Sequence, residues 1–129
     1  MFDHISVGVG DLDRAIALYT AALAPLGYVR LFQTERAAGF GPPGFTGEAP
    51  FAIVVPRDGR AAPSSAAHIA FRAADRNAVQ GFHAGAVANG ATDDGPPGVR
   101  EHYGPGYYAA FVMDPDGNRL EAVLHEPVP

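Results

Sequence analysis

Two segments of the chain share one pattern of alternating apolar and polar residues that runs into helical spacing. HISVGVGDLDRAIALY at residues 4–19 aligns with HIAFRAADRNAVQGFH at residues 68–83. In both segments a strand-like alternation led by a histidine is followed by an aspartate, Asp11 or Asp75, at the position expected of a helix N-cap. The pattern therefore predicts an internal repeat in which a strand leads into a capped helix.

Further strands are predicted after each helix. In the first half they are YVRLFQTE (28–35) and FAIVVP (51–56), separated by a loop rich in Gly and Pro; in the second, a short strand near 91–94 precedes a hairpin at 106–124. Each half is interpreted as β-α-β-β-β, which predicts a single α+β domain over 1–129. Its boundaries are module one at about 1–57, a linker at about 58–65 and module two at about 66–129.

The alternation also predicts which strand face carries each side chain. Ile5 and Ile69 point towards the helices, which places His4 and His68 on the opposite, polar face. If the residues flanking Glu121 face the helices, this carboxylate joins the two histidines on a concave surface. A buried carboxylate in an apolar strand is costly unless it is paired or coordinated.

Two imidazoles and one carboxylate are ligands suited to a divalent metal that keeps positions open for water or substrate. We therefore predict a metal site formed by His4, His68 and Glu121. With a simple tight turn in the hairpin, Tyr108 reaches the same face. There it donates a hydrogen bond to a metal-bound oxygen, so Glu121 and Tyr108 are the candidate catalytic residues. A tyrosine at the rim with no such role fits Tyr108 equally well.

The amino-acid composition limits which chemistries and which classes of partner are open to this protein. The formal net charge is −5, the chain has no lysine and no cysteine, and the arginines are scattered. These features exclude Schiff-base and thiolate chemistry and argue against a nucleic-acid surface. No apolar stretch is long enough to span a membrane, so we expect a cytoplasmic protein that binds a small molecule.

The segments DHISVGVGDLDRAIALY, HIAF and YYAAFVMDPDGNRLEAV resemble the vicinal oxygen chelate superfamily. This superfamily includes glyoxalase I, extradiol dioxygenases, and the fosfomycin and bleomycin resistance proteins. The resemblance covers nearly the whole chain and implies one glyoxalase-like domain, in which two tandem βαβββ modules with curved mixed sheets form a concave metal site. The superfamily's ligand positions correspond to His4, His68 and Glu121.

The resemblance implies an enzyme that acts on a small oxygenated substrate chelated to a divalent metal: Fe, Mn, Ni, Zn or Co. A lyase or isomerase, a dioxygenase and a thiol transferase all remain open. Residues 51–56 lack the additional carboxylate of glyoxalase I, which favours the members with three ligands. The alternative is a resistance protein of the same fold that binds a drug or metabolite without catalysis.

By analogy with the superfamily a homodimer is expected, and the sequence leaves open whether the metal site forms within one chain or across two. It also leaves open the roles of His102, Tyr103 and Arg72. If the ligand carries an anionic group, Arg72, Arg100 and Arg119 are the candidate cations.

Overall fold

A computed structural model describes residues 1–63 and 66–128. The predicted linker at about 58–65 includes residues 64 and 65, which lie outside the described residues, as does the last residue of the predicted second module.

The first half of the chain forms a four-stranded mixed sheet with one helix. The strand order is β1-β4-β3-β2, in which β1 is parallel to β4 and the other pairs are antiparallel. The elements are β1 (Ile5–Gly8), α1 (Leu12–Leu23), β2 (Val29–Gln33), β3 (Ala37–Gly41) and β4 (Phe51–Val54).

The second half repeats this arrangement with strand order β5-β8-β7-β6, and β5 is parallel to β8. Short 3₁₀ turns lie at Ala24–Leu26 and Glu101–Tyr103. The two-module α+β fold predicted from the repeat is confirmed. The elements are β5 (His68–Arg72), α2 (Arg76–Ala88), β6 (Thr92–Val99), β7 (Tyr107–Met113) and β8 (Arg119–His125).

Both helices begin at the aspartates that the repeat predicts. The Asp11 carboxylate accepts a hydrogen bond from the backbone N–H of Arg14 at 3.1 Å, and the Asp75 carboxylate accepts one from that of Ala78 at 2.8 Å. Each cap satisfies a backbone donor that the first helical turn leaves without a partner.

The two modules share one hydrophobic core. Buried residues of α1, α2 and both sheets form a single cluster, and Phe51 of the first sheet meets Phe71 of the second edge to face at 5.2 Å between ring centroids. The helices also cross closely, since a Cβ added at Gly85 would lie 2.4 Å from the carbonyl oxygen of Ala21. The apolar strand faces pack into this core, whereas the faces carrying His4 and His68 are exposed.

Two strands differ from the prediction. β3 occupies residues 37–41, which overlap the predicted loop, and β6 continues to Val99 through Gly95-Pro96-Pro97-Gly98. β6 is the edge strand of its sheet and its register shifts at Gly95 and Gly98, so prolines without an N–H are tolerated there. In β3, Gly39 leaves the space that the Phe32 ring fills.

The β7–β8 hairpin has a register one residue away from that of a simple tight turn. Gly117 N–H donates to the Asp114 carbonyl at 3.0 Å, Gly117 has φ +92°, and Asp114 N–H donates to the Asn118 carbonyl at 2.9 Å. This is a three-residue loop with a glycine in the left-handed region. As a result Phe111, not Ala110, is paired with Glu121.

Within the described ranges, no helix is long and apolar enough to cross a membrane.

Candidate functional site

A large cavity, with a volume of about 730 Å³, lies over the second sheet. Strands β5 to β8 and the 3₁₀ turn before β7 supply its walls, and a charged side chain from β8, Glu121, lies among them. The polar and aromatic residues that line it are His68, Asp94, Arg100, His102, Tyr103, Tyr107, Phe111, Arg119 and Glu121.

Glu121 is the buried polar centre of this cavity. It is 2% exposed, and its Oε1 lies 3.3 Å from Nε2 of His68 on the neighbouring parallel strand. Its Oε2 accepts a short hydrogen bond from the Tyr107 hydroxyl. The carboxylate is thus held between an imidazole and a phenol, with His68 exposed enough to meet a ligand.

Tyr107 is held as a hydrogen-bond donor. Burial, the hydrogen bond to Glu121 and the charge of that carboxylate together raise the pKa of Tyr107 well above the usual range for a phenol. At physiological pH the hydroxyl therefore keeps its proton, which directs it towards the Glu121 oxygen.

The prediction that Tyr108 faces the concave surface is wrong, because the three-residue loop shifts β7 by one position. Tyr108 is buried on the helix side of the sheet, where its hydroxyl accepts a hydrogen bond from Gln80 Nε2 at 3.0 Å. The guanidinium of Arg76 lies 4.4 Å from the centre of its ring. Tyr107, its neighbour in the sequence, occupies the position expected of Tyr108.

His4 is not brought together with His68 and Glu121 in one chain. It lines a second cavity, of about 210 Å³, and its Nδ1 lies 2.6 Å from Asp3 Oδ1. That hydrogen bond raises the pKa of His4 above its ordinary value. The part of the chain that the structure describes contains no cluster of three or more His, Asp or Glu side chains arranged to hold a metal. Two of the three predicted ligands therefore meet, and the third is in the other module.

The residues whose roles the sequence left open are now placed. His102 and Tyr103 line the large cavity with their ring centroids 4.2 Å apart. Arg72 is exposed on β5. Sequence reasoning missed Tyr107 and Phe111 in this cavity; the signal that could have found them is the Asp-Pro-Asp-Gly turn, whose final glycine is typical of a three-residue hairpin loop.

Comparisons with known proteins agree with this architecture. The family model for the Glyoxalase/Bleomycin resistance protein/Dioxygenase superfamily matches residues 1–122. The chain is 32% identical to a glyoxalase/bleomycin resistance protein from Albidiferax ferrireducens T118, with coverage of 98% of this chain and 99% of that one and a TM-score of 0.82. The chain therefore belongs to this superfamily.

More distant solved structures share the fold. A glyoxalase-related enzyme from Fulvimarina pelagi is 21% identical over 96% of this chain and 87% of its own, with a TM-score of 0.69. A family enzyme from Burkholderia phytofirmans PsJN is 16% identical over 95% and 97%, with a TM-score of 0.68. A search of curated proteins finds no significant match.

Proposed function

We propose that this protein is a metal-dependent enzyme that acts on a small oxygenated substrate, by lyase, isomerase or dioxygenase chemistry. The observation that supports the proposal is the buried Glu121 carboxylate, 3.3 Å from the exposed His68 imidazole at a cavity large enough for a metabolite. Taking a carboxylate out of water is costly, and a bound cation offsets that cost.

The donor set suits a divalent metal of the borderline class. One imidazole nitrogen and one carboxylate oxygen come from a single chain, and a third donor is needed to make a facial set with open positions. Within this proposal His4 is that third ligand, contributed by a second copy of the chain in a homodimer. Its placement on an exposed strand face, 46% exposed, is compatible with this role.

The bound metal would act as a Lewis acid towards neighbouring substrate oxygens. The chain's own groups fix the carboxylate: the Tyr107 hydroxyl donates to one Glu121 oxygen, so the other is left facing His68. Such an outer hydrogen bond orients a ligating carboxylate and limits its motion. Within this proposal Glu121 also accepts a proton from the bound substrate.

The first test is the metal content of anaerobically purified protein. Wild type is expected to hold about one equivalent of metal per chain, and His68→Ala is expected to lose it, because each site requires this imidazole. His83→Ala is the matched control, since His83 pairs with Asp93 at 2.9 Å outside the cavity and should leave the metal in place. A wild-type protein that holds no metal and takes up none on titration would refute the proposal.

A mixing experiment tests the contribution of His4 from the second copy. His4→Ala and His68→Ala would each form dimers without an intact site, but a mixed dimer would regain one. Free exchange of the two variants should therefore restore about a quarter of the wild-type metal content. If both ligands came from one chain, mixing would restore none.

A protein that binds a small molecule without catalysis is the second candidate. The specific observation in its favour is that, within the described ranges of one chain, two of the predicted donors come together, beside aromatic side chains (Tyr103, Tyr107 and Phe111) that suit an organic ligand. The metal titration separates the two candidates.

A further inference from the structure

The guanidinium of Arg100 is held at one end of the large cavity. Its Nη2 donates a short hydrogen bond to the Pro96 carbonyl, and its Cζ lies 5.5 Å from the centre of the Phe111 ring. A Cβ added at Gly95 would approach Nη2 to 3.2 Å, so the absence of a side chain there lets the guanidinium lie close to the β6 backbone. These contacts place the guanidinium between the β6 backbone and the Phe111 ring.

Two arginines, Arg100 and Arg119, are among the described residues that line the cavity, and of these two Arg100 makes no ion pair with a described carboxylate. Arg119 pairs with Asp94 at 3.2 Å, and Glu121 is next to His68. Among residues 1–63 and 66–128, no carboxylate oxygen lies within 4.0 Å of the Arg100 guanidinium. The charge of Arg100 acts on Asp93. The pKa of Asp93 is lowered first by its hydrogen bond to His83 and to a smaller degree by the charge of Arg100.

Three aromatic rings form a wall between Arg100 and Glu121. The ring of Tyr103 lies 5.2 Å from that of Tyr107 and 6.4 Å from that of Phe111. Rings at such separations offer flat apolar surfaces against which a planar ligand can stack.

The sheet register gives the length of the ligand. Gly95, Phe111 and Glu121 are paired in one row across three adjacent strands. Because adjacent strands are about 4.8 Å apart, the row from Gly95 to Glu121 spans about 10 Å. A cation lies at one end of this row, a buried carboxylate with an imidazole at the other, and aromatic surface between them.

We propose that this cavity binds a planar carboxylic acid whose carboxylate pairs with Arg100, whose ring packs on Phe111 and Tyr103, and whose polar end reaches His68 and Glu121. This assignment rests on the proposed function for the choice of cavity and names the substrate class of that site. The anion end is formed by the protein alone, so recognition of the carboxylate does not depend on a metal.

The test compares two probes that differ in charge and little in shape, 3,4-dihydroxybenzoate and 3,4-dihydroxybenzamide. Their affinities for the full chain are measured by calorimetry in EDTA and again after loading with Mn²⁺. A carboxylate on a half-buried arginine should bind about tenfold more tightly than the neutral amide. The ratio should fall as the salt concentration rises, because the pair is partly screened.

The variants assign the preference to one side chain. Arg100→Gln should bring the acid-to-amide ratio close to one. Arg119→Gln should keep the preference, because Asp94 already offsets that charge, and Arg14→Gln on α1 controls for the loss of one positive charge elsewhere. An equal loss of preference in Arg119→Gln and Arg100→Gln would overturn the assignment.

If Arg100→Gln does not fold, measurements on wild-type protein alone still test whether the cavity binds a carboxylate. Equal affinities for acid and amide, or no saturable binding of either, overturn the inference. Failure of the two proposals can be told apart: equal affinities in protein that loads metal refute only the carboxylate site, whereas a preference for the acid in protein that takes up no metal refutes only the metal-dependent function.

Discussion

The buried hydroxyl of Tyr19 provides a sharp test of how the two modules are joined. It donates a 2.8 Å hydrogen bond to Asp114 Oδ2, at the start of the β7–β8 turn. Asp114 is 3% exposed and also accepts hydrogen bonds from the backbone N–H groups of Asp116 and Asn118 and from the Asn118 side-chain amide. Tyr19→Phe removes one of four donors to a buried carboxylate. A hydrogen bond to a charged group contributes about 1.5–3 kcal/mol, so we expect the free energy of unfolding to fall by about 2 kcal/mol.

Urea unfolding at neutral pH measures this loss as a lower midpoint with an unchanged m-value. Tyr28→Phe is the matched control, since Tyr28 packs edge to face on Phe71 and its hydroxyl makes no hydrogen bond among the described residues. A loss below about 0.5 kcal/mol in Tyr19→Phe, or an equal loss in both variants, would refute the reasoning, because ordinary packing would then account for the change.

Three further predictions follow from single contacts. Tyr107→Phe should weaken Mn²⁺ binding about tenfold, because the Glu121 carboxylate loses the hydrogen bond that orients it. Tyr108→Phe should leave Mn²⁺ binding unchanged in the same titration; equal effects of the two variants would contradict the register of the β7–β8 hairpin. Gly85→Ala should destabilise the protein by about 1–3 kcal/mol in urea despite alanine's higher helix propensity, because the facing helix leaves no space for a Cβ; a stabilised variant would show that the helices separate freely. Arg76 lowers the pKa of Glu126, so that pair stabilises the folded state above the ordinary carboxyl pKa of 4.5 and loses this contribution as pH falls through the lowered value. Glu126→Gln should therefore be less stable than wild type at pH 7 and equal to it in strong acid, as followed by thermal unfolding; a difference that persists in acid would argue against the ion pair.

The repeated pattern is sufficient to predict the helices, their caps and the inward face of β1 and β5. Strand alternation and N-capping are local properties of the sequence. The capping hydrogen bonds accepted by Asp11 and Asp75 agree with the pattern. The strand β3 is missed because AAGFG resembles a loop in composition. Its need for Gly39 arises from the Phe32 ring on the neighbouring strand, which is a tertiary contact.

The candidate site is predicted in part for a similar reason. The positions of His68 and Glu121 follow from alternation within one strand each, and the parallel pairing of β5 and β8 brings them together. The choice between Tyr107 and Tyr108 depends on the number of residues in a turn, and one residue reverses the face of every side chain on β7. The place of His4 depends on how two modules, and two chains, are arranged, which no local pattern encodes.

The contact between the β7–β8 turn and the first module also determines when the native contacts can form during synthesis at the ribosome. Asn118 Nδ2 donates to the Gly8 carbonyl at 2.8 Å, and Asp116 accepts from the Gly10 N–H at 3.0 Å. Strand β1, the loop after it and the hydroxyl of Tyr19 thus have partners that are translated about 100 residues later. In the nascent first module these groups stay hydrated until the turn emerges, so the native contacts are completed only after the β7–β8 turn has left the exit tunnel.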